Sequence, residues 1–326
     1  MFIQRQYLYL SVLPIFVAAM MLVPWLSIFE EIYGYGFVDR EVYVEYFLYK
    51  ESVLEYKEFG GIFSYISNEF LWHYLMAYFI NDIGVDIKYV FAFISILCLS
   101  VFGLIVVKNH GPFALLFLVN PLVVDFAFSQ LRMALAISLL GISYLLISRQ
   151  KFAALIFVAC SLLIHTAAIF FVLIYMSLRI CDRYADRFRN GHWAKFVLLC
   201  LVGASISMAI GPLRVVILSL IGDRRVEYLD MSSTLTYSLF WIILLFAIGG
   251  GAKILLKEKY QQFSVVILSI VAVNVFHGGY STRFLAASFP FLVSTVLSSR
   301  GVYGVMVIFL FAFYAMLQWL FWLRLA

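Results

Sequence analysis

Residues 152–178 read FAALIFVACSLLIHTAAIFFVLIYMSL, 27 residues without a lysine, arginine, aspartate or glutamate, with His165 near the middle. A helix crossing a bilayer needs about 20 mostly apolar residues. The run is therefore either one long tilted span or two short helices that meet near His165. Arg149 and Lys151 precede it, and the basic stretch 179–195 follows it. The positive-inside rule places both on the cytoplasmic side only if the run enters and leaves by the same face. The folded-back pair is the preferred reading of 152–178, since a single span would push one basic segment outside. Non-helical backbone at membrane depth is tolerated where it is buried or lines a wet cavity, so this reading implies a cavity near His165.

Outside this stretch the pattern repeats. Uncharged runs cover residues 7–29, 89–107, 112–124, 133–148, 196–213, 231–252, 260–282, 284–299 and 301–323, separated by Lys108, the stretch 253–259 and Arg300. The chain is 65% apolar and 13% charged over 326 residues, with a mean hydropathy of +1.01. A soluble domain carries about 25% charged residues, so an ordinary soluble enzyme is excluded, as are disorder, collagen and a disulfide scaffold. A transmembrane barrel would show short alternating strands instead of long runs. With every basic mark inside, the chain reads as an all-α polytopic membrane protein of about eleven membrane-crossing helices, N-terminus inside. No polar stretch is long enough for a separate soluble domain, so residues 1–326 are expected to form one multi-pass bundle. The first run lacks a small-x-small cleavage site and reads as an uncleaved span. The net charge of +5 reports loop topology and contact with membrane lipids, not nucleic-acid binding. Cys98, Cys160, Cys181 and Cys200 show no C-x-x-C spacing and read as packing residues.

The segment 30–80 behaves differently. Between residues 30 and 61 stand eight acids against Arg40, Lys50 and Lys57. The five glutamates from Glu41 to Glu58 fall within an arc of about 140° at about 100° per residue. Tyr43, Tyr46, Phe47 and Leu54 fill much of the rest. This is an amphipathic helix at the outer surface, aromatics toward the lipid interface. Residues 62–80 either continue it along the membrane or form a short span.

This orientation sends Asp39, Arg40, Gln130, Arg132, His165, Arg224, Arg225 and Arg283 to the outer side. Arg132 and Arg283 each open a span between apolar neighbours, and a charge at membrane depth costs several kcal/mol unless paired or hydrated. A snorkelling arginine, or one paired with Asp125 seven residues earlier on the same helix face, is the plainer explanation. Converging guanidinium groups, in contrast, suit a phosphate or diphosphate, which they bind through forked, charge-assisted hydrogen bonds. His165 reads either as a buried histidine on a backbone carbonyl or as a proton carrier over a cavity. Asp39 is an exposed loop acid or a base. Arg40, Tyr43, Gln130, Tyr228 and Tyr280 are candidates for glycan contact. The chain has no G-x-x-x-x-G-K-[ST], H-E-x-x-H, G-x-S-x-G or D-x-D motif and no paired Cys/His set. No metal site and no cofactor are therefore expected. An outward site without nucleotide or metal calls for an already activated substrate, and a lipid-diphosphate-linked sugar is one.

Three segments resemble a known family. VDREVYVEYF (38–47) looks like the outer-loop G-x-D-x-x-x-Y-x-x-x-F region of the Wzy-type polysaccharide polymerases, EpsG-like branch. SQLRMALA (129–136) is similar to their R-x-x-[IL]-A helix start, and LLIHTAA (162–168) to their [FI]-H-x-[SA]-A segment. Gly36 stands one residue farther from the acid than the family's Gly-x-Asp, and Val38 replaces a small polar residue. The resemblance implies an integral-membrane glycosyltransferase of the GT-C type. Its reaction would transfer a growing O-antigen, capsular or exopolysaccharide chain from undecaprenyl diphosphate onto a second lipid-linked repeat unit. Carried over by residue, Arg132 and His165 match best, followed by Asp39.

The expected protein is thus a metal-independent, inverting glycan polymerase of a bacterial inner membrane with its site toward the periplasm. Arg132 and Arg283, with Arg224 or Arg225, would hold the leaving diphosphate, and Asp39 or His165 would deprotonate the acceptor hydroxyl. Its partners would be undecaprenyl-diphosphate-linked oligosaccharides, a chain-length regulator and a flippase. Two rivals stand beside it. A flippase of lipid-linked glycans should show repeat symmetry between its halves, and none is evident. A membrane acyltransferase of surface sugars would need a histidine–acid pair open to a cytoplasmic acyl donor.

Overall fold

The computed structural model describes residues 2–49, 62–185, 187, 191–220, 235–251, 256–277 and 281–324, and every regular element among them is helical. Among the described residues four helical stretches are long and apolar enough to cross a bilayer: Ser11–Tyr33, Ile87–His110, Gly191–Ile210 and Gly301–Trp322. Pro121–Phe128 with Leu131–Leu146, bent by 102°, makes up to five. This is the architecture of a helical membrane protein. The expectation of about eleven crossings counted every uncharged run as a span, and the backbone breaks several of them.

Residues 112–124 show why. Gly111, at φ 82°, ends the preceding helix, and Pro112 opens a 3-10 segment, Pro112–Leu118. Pro121 forces Asn120 into the extended region, φ −140° and ψ 139°, where its side chain accepts from Leu122 N at 2.9 Å and starts a new helix. An uncharged run punctuated in this way is two short pieces and not one continuous helix.

The chain divides into two compact units, Met1–Ile169 with Leu317–Ala326, and Phe170–Met316. The first holds α1 (Phe2–Leu22), α2 (Trp25–Tyr33), α3 (Val38–Tyr49), α4 (Ile62–Ser67), α5 (Phe70–Ala77), α6 (Ile87–His110), α7 (Pro121–Phe128), α8 (Leu131–Leu146) and α9 (Lys151–Ile164). Its core is α6, where Phe91, Cys98, Leu99 and Val106 are fully buried against α1, α7 and α8. Pro24 separates α1 from α2 because it cannot donate to the carbonyl four residues back. That carbonyl belongs to Met20, and the Trp25 indole Nε1 donates to it at 2.8 Å. Trp25 also stacks on Trp319, ring centroids 5.6 Å apart, while Tyr33 Oη donates to the Trp322 carbonyl at 2.7 Å. Helix α3 turns its aromatics onto protein instead of the expected lipid interface. Tyr43 meets Trp72 and Phe91, and Tyr46 and Phe47 meet His73. The rest of the expected amphipathic stretch, residues 50–61, lies outside the described residues.

The second unit contains most of α10 (Ala168–Ala185), then α11 (Gly191–Ile210), α12 (Arg214–Leu220), α13 (Leu235–Gly250), α14 (Lys259–Asn274), α15 (Ser281–Ala287), α16 (Phe289–Leu297) and most of α17 (Gly301–Trp322). Helix α14 is buried on all sides, from Phe263 to Val271. Gly203 of α11 lets it approach closely. A Cβ there would stand 2.6 Å from the Val266 carbonyl oxygen and from Ser269 Cβ, the small-residue contact that membrane helices use. Where α10, α11 and α14 meet, Asp182 pairs with Lys195 at 2.8 Å and with Lys259, and accepts from Gln262 Nε2 at 3.0 Å. Lys195 and Lys259 close two separate basic stretches, and this shared acid puts both on one end of the unit.

Candidate functional site

The site grows out of the α8–α9 hairpin. Ser161 Oγ of α9 donates to the Ala136 carbonyl of α8 at 2.8 Å. In an antiparallel pair a step of four forward on one helix matches four back on the other, about one turn each. That register carries His165 to Arg132. The basic turn holding Arg149 and Lys151 lies at the opposite end of the hairpin, about 24 Å away for the 16 residues of α8.

Both residues stand where helices break. His165 leaves α9 in an extended conformation, φ −149° and ψ 119°, and α10 restarts at Ala168, whose N–H donates to the His165 carbonyl at 2.9 Å. Arg132 lies in the first turn of α8, directly after the bend at Ser129 and Gln130. The bend defeats the argument that Asp125 and Arg132 share one helix face. A cation in the first turn also opposes the helix dipole, so Arg132 needs an anion nearby.

Glu69 supplies it. Its Oε2 lies 2.5 Å from Arg132 Nη1 and its Oε1 2.6 Å from His165 Nδ1. The Thr166 N–H points at the same Oε1 from 3.3 Å, and Thr166 Oγ1 donates to the Ile66 carbonyl at 3.1 Å. Glu69 is only 5% exposed and occupies the left-handed region, φ 52° and ψ 47°, between α4 and α5. For a residue with a Cβ that conformation costs about 1–2 kcal/mol. Such strain persists only when the surroundings over-determine it. Here packing of α4 and α5 on α9 and the three-way hold on the carboxylate do so.

Around this centre lie further expected residues. The Arg132 guanidinium stands 5.7 Å from the Tyr43 ring. Arg40 lies 4.9 Å over Phe91 and donates to the Phe128 carbonyl at 3.4 Å. Burial lowers its pKa, but a guanidinium stays charged in proteins. Gln130 Nε2 donates to Asp125 Oδ2 at 2.7 Å. Asp39 opens α3, half-exposed and one residue before Arg40. The carboxylate shared by Arg132 and His165 is that of Glu69, not Asp39. Arg283 belongs to α15 of the second unit. Arg224, Arg225, Tyr228 and Tyr280 lie outside the described residues. Sequence reasoning passed over Glu69, although it is an acid in a mostly apolar stretch and meets the criterion that singled out Arg132.

An imidazole whose Nδ1 is held by a carboxylate is oriented for proton transfer, and the carboxylate stabilises the imidazolium that forms. The guanidinium beside it is a fork of N–H donors, the group that suits an oxyanion. Among the described residues no group of three or more His, Cys, Asp or Glu is arranged to hold a metal ion. No protein-family model, curated protein or solved structure matches the chain.

Proposed function

We propose that the protein is a membrane glycan polymerase of the Wzy type, with His165 as general base, Glu69 as its orienting acid and Arg132 as a holder of the leaving diphosphate. The observation that carries this reading is the buried Glu69 carboxylate joined at once to His165 and Arg132. In the reaction, His165 Nε2 takes the proton of the acceptor sugar hydroxyl. The hydroxyl oxygen attacks the anomeric carbon, and the bond to the diphosphate oxygen breaks with inversion. Arg132 offsets the charge that develops on that oxygen. Arg283, Arg224 and Arg225 remain diphosphate candidates on sequence pattern alone, and Asp39 gives way to His165 as the base.

The hairpin and its charge pattern support an orientation. The turn with Arg149 and Lys151 is cytoplasmic by the positive-inside rule, so the site at the other end faces the periplasm. The pairing of Lys195 and Lys259 on Asp182 fits this arrangement, since it gathers two basic stretches at one face. The full count of about eleven crossings and the GT-C likeness belong to the same proposal, resting on charge pattern.

The same Glu69–His165 pair favours a second reading, a membrane acyltransferase that moves an acyl group onto a sugar hydroxyl. One experiment separates the two and the flippase as well. Purified protein in lipid nanodiscs, given only undecaprenyl-diphosphate-linked repeat units with EDTA and no nucleotide, is expected to lengthen them. Acylation of the glycan from an added acyl donor without lengthening would establish the acyltransferase. Passage of the lipid across a vesicle without lengthening would establish the flippase.

Orientation has its own test. In whole cells an impermeant thiol reagent is expected to label a cysteine at the exposed Glu45 and not one at the exposed Gln150. The reverse pattern would turn the site toward the cytoplasm and sink the reading.

A further inference from the structure

Two cations of the first unit, Arg40 and Arg132, stand in different electrostatic situations. Arg132 has the Glu69 carboxylate at 2.5 Å. Arg40 is half-buried, braced by the Phe91 ring at 4.9 Å and the Phe128 carbonyl at 3.4 Å. Among the described residues no carboxylate lies within ion-pair distance of it. A charge partly withdrawn from water without a counter-charge is costly. Snorkelling would extend the guanidinium into bulk water, whereas this one lies over the ring of Phe91, itself fully buried.

A second unmet group sits at the same bend. Gln130, two residues beyond Phe128, has its amide orientation fixed by the Nε2 contact to Asp125 Oδ2 at 2.7 Å. Its Oε1 is buried and has no hydrogen-bond partner among the described residues. Buried acceptors are satisfied in the great majority of cases, and this one asks for a donor such as a hydroxyl.

From these two we infer that Arg40 and Gln130 form a recognition site for an oxyanion that carries a neighbouring hydroxyl, the oxyanion on the Arg40 fork and the hydroxyl on Gln130 Oε1. A phosphoryl or carboxylate group matches the planar fork of donors better than any neutral sugar does. Two sources offer that chemistry, the diphosphate of a lipid carrier and the carboxylate of an acidic sugar. The assignment rests on the polymerase reading for the identity of the ligand; the anion site itself follows from the two unmet groups.

The test uses the full-length protein in nanodiscs and two pairs of probes, farnesyl diphosphate against farnesol and trigalacturonate against a neutral galactotriose. Arg40→Gln is expected to weaken one anionic probe about ten- to hundredfold, the range of a charge-assisted fork, and to leave its neutral counterpart unchanged. Arg40→Lys, which keeps the charge and loses the fork, falls between. Farnesyl diphosphate as the responding probe identifies the carrier diphosphate; trigalacturonate identifies an acidic repeat unit. Thermal unfolding of each variant reports on its fold, and Arg40→Lys serves if Arg40→Gln does not fold. Anion binding unchanged by either substitution, equal losses of charged and neutral probes, or no binding of any anion to the wild type would overturn the site. Loss of lengthening activity from the wild type with Arg40-dependent anion binding intact would remove the polymerase and keep the anion site; the opposite pattern would do the reverse.

Discussion

Glu69→Gln is expected to slow glycan lengthening at least about hundredfold, because it strips His165 of its orienting charge and removes the carboxylate charge that pairs with Arg132. Deleting one partner of a fully buried ion pair costs about 3–5 kcal/mol. Arg132 keeps a quarter of its side chain exposed, so a loss of about 2–3 kcal/mol is the appropriate figure. Glu69→Gly separates two contributions. Glycine relieves the left-handed backbone by about 1 kcal/mol yet loses the same carboxylate, so the charge effect wins and the variant is less stable than wild type. Unfolding of the variants in detergent, followed by heat or denaturant, checks the order: wild type above Glu69→Gly and Glu69→Gln. Full activity in Glu69→Gln would leave the carboxylate as a structural tether only.

His165→Gln probes the chemistry with less disturbance to the fold. The glutamine amide can still donate to Glu69, so the link between α9 and the α4–α5 turn is kept. It has no nitrogen that can take a proton, and the lost general-base contribution is about 10²–10⁴ in rate. Binding of the lipid-linked substrate is expected to stay within about threefold of wild type while the rate of lengthening collapses, which assigns the loss to the chemical step. Equal losses of binding and rate would make His165 a ligand contact, and the base would have to be sought elsewhere, with Asp39 the first to test.

Much of the site can be read from local sequence. The helix break at His165 follows from a run too long for one comfortable span, and Arg132 stands out as a charge between apolar neighbours. The bend before α8 was harder to see, since Ser129 and Gln130 carry no proline or glycine signal. It undid the inference that Asp125 and Arg132 share a helix face. The central acid was missed for a different reason. Glu69 is 96 residues from His165 in sequence, and hydrophobic periodicity says nothing about pairings at that separation. The acids that stood out were the dense set at residues 30–61 and Asp125, while a lone acid before Phe70, Leu71 and Trp72 was the stronger signal. Helix ends were misread in the same spirit. Charge marks were read as the ends of spans, but Gly111, Pro112 and Pro121 end helices without any charge.

The contact of Trp25 with Trp319 also has a kinetic meaning. The indole that mends the gap left by Pro24 is completed by a partner 294 positions later in the chain. Tyr33 is likewise tied to Trp322, and Arg324 Nη1 donates to the Ile32 carbonyl at 3.1 Å. During synthesis the first unit therefore stays open on that side until residues 319–324 have emerged. Closing so large a loop is slow, and the exposed aromatics of α2 are meanwhile available to wrong partners. Assembly of the first unit waits for residues 319–324, so a stop codon near residue 317 would spare every proposed site residue and still leave this unit unfinished.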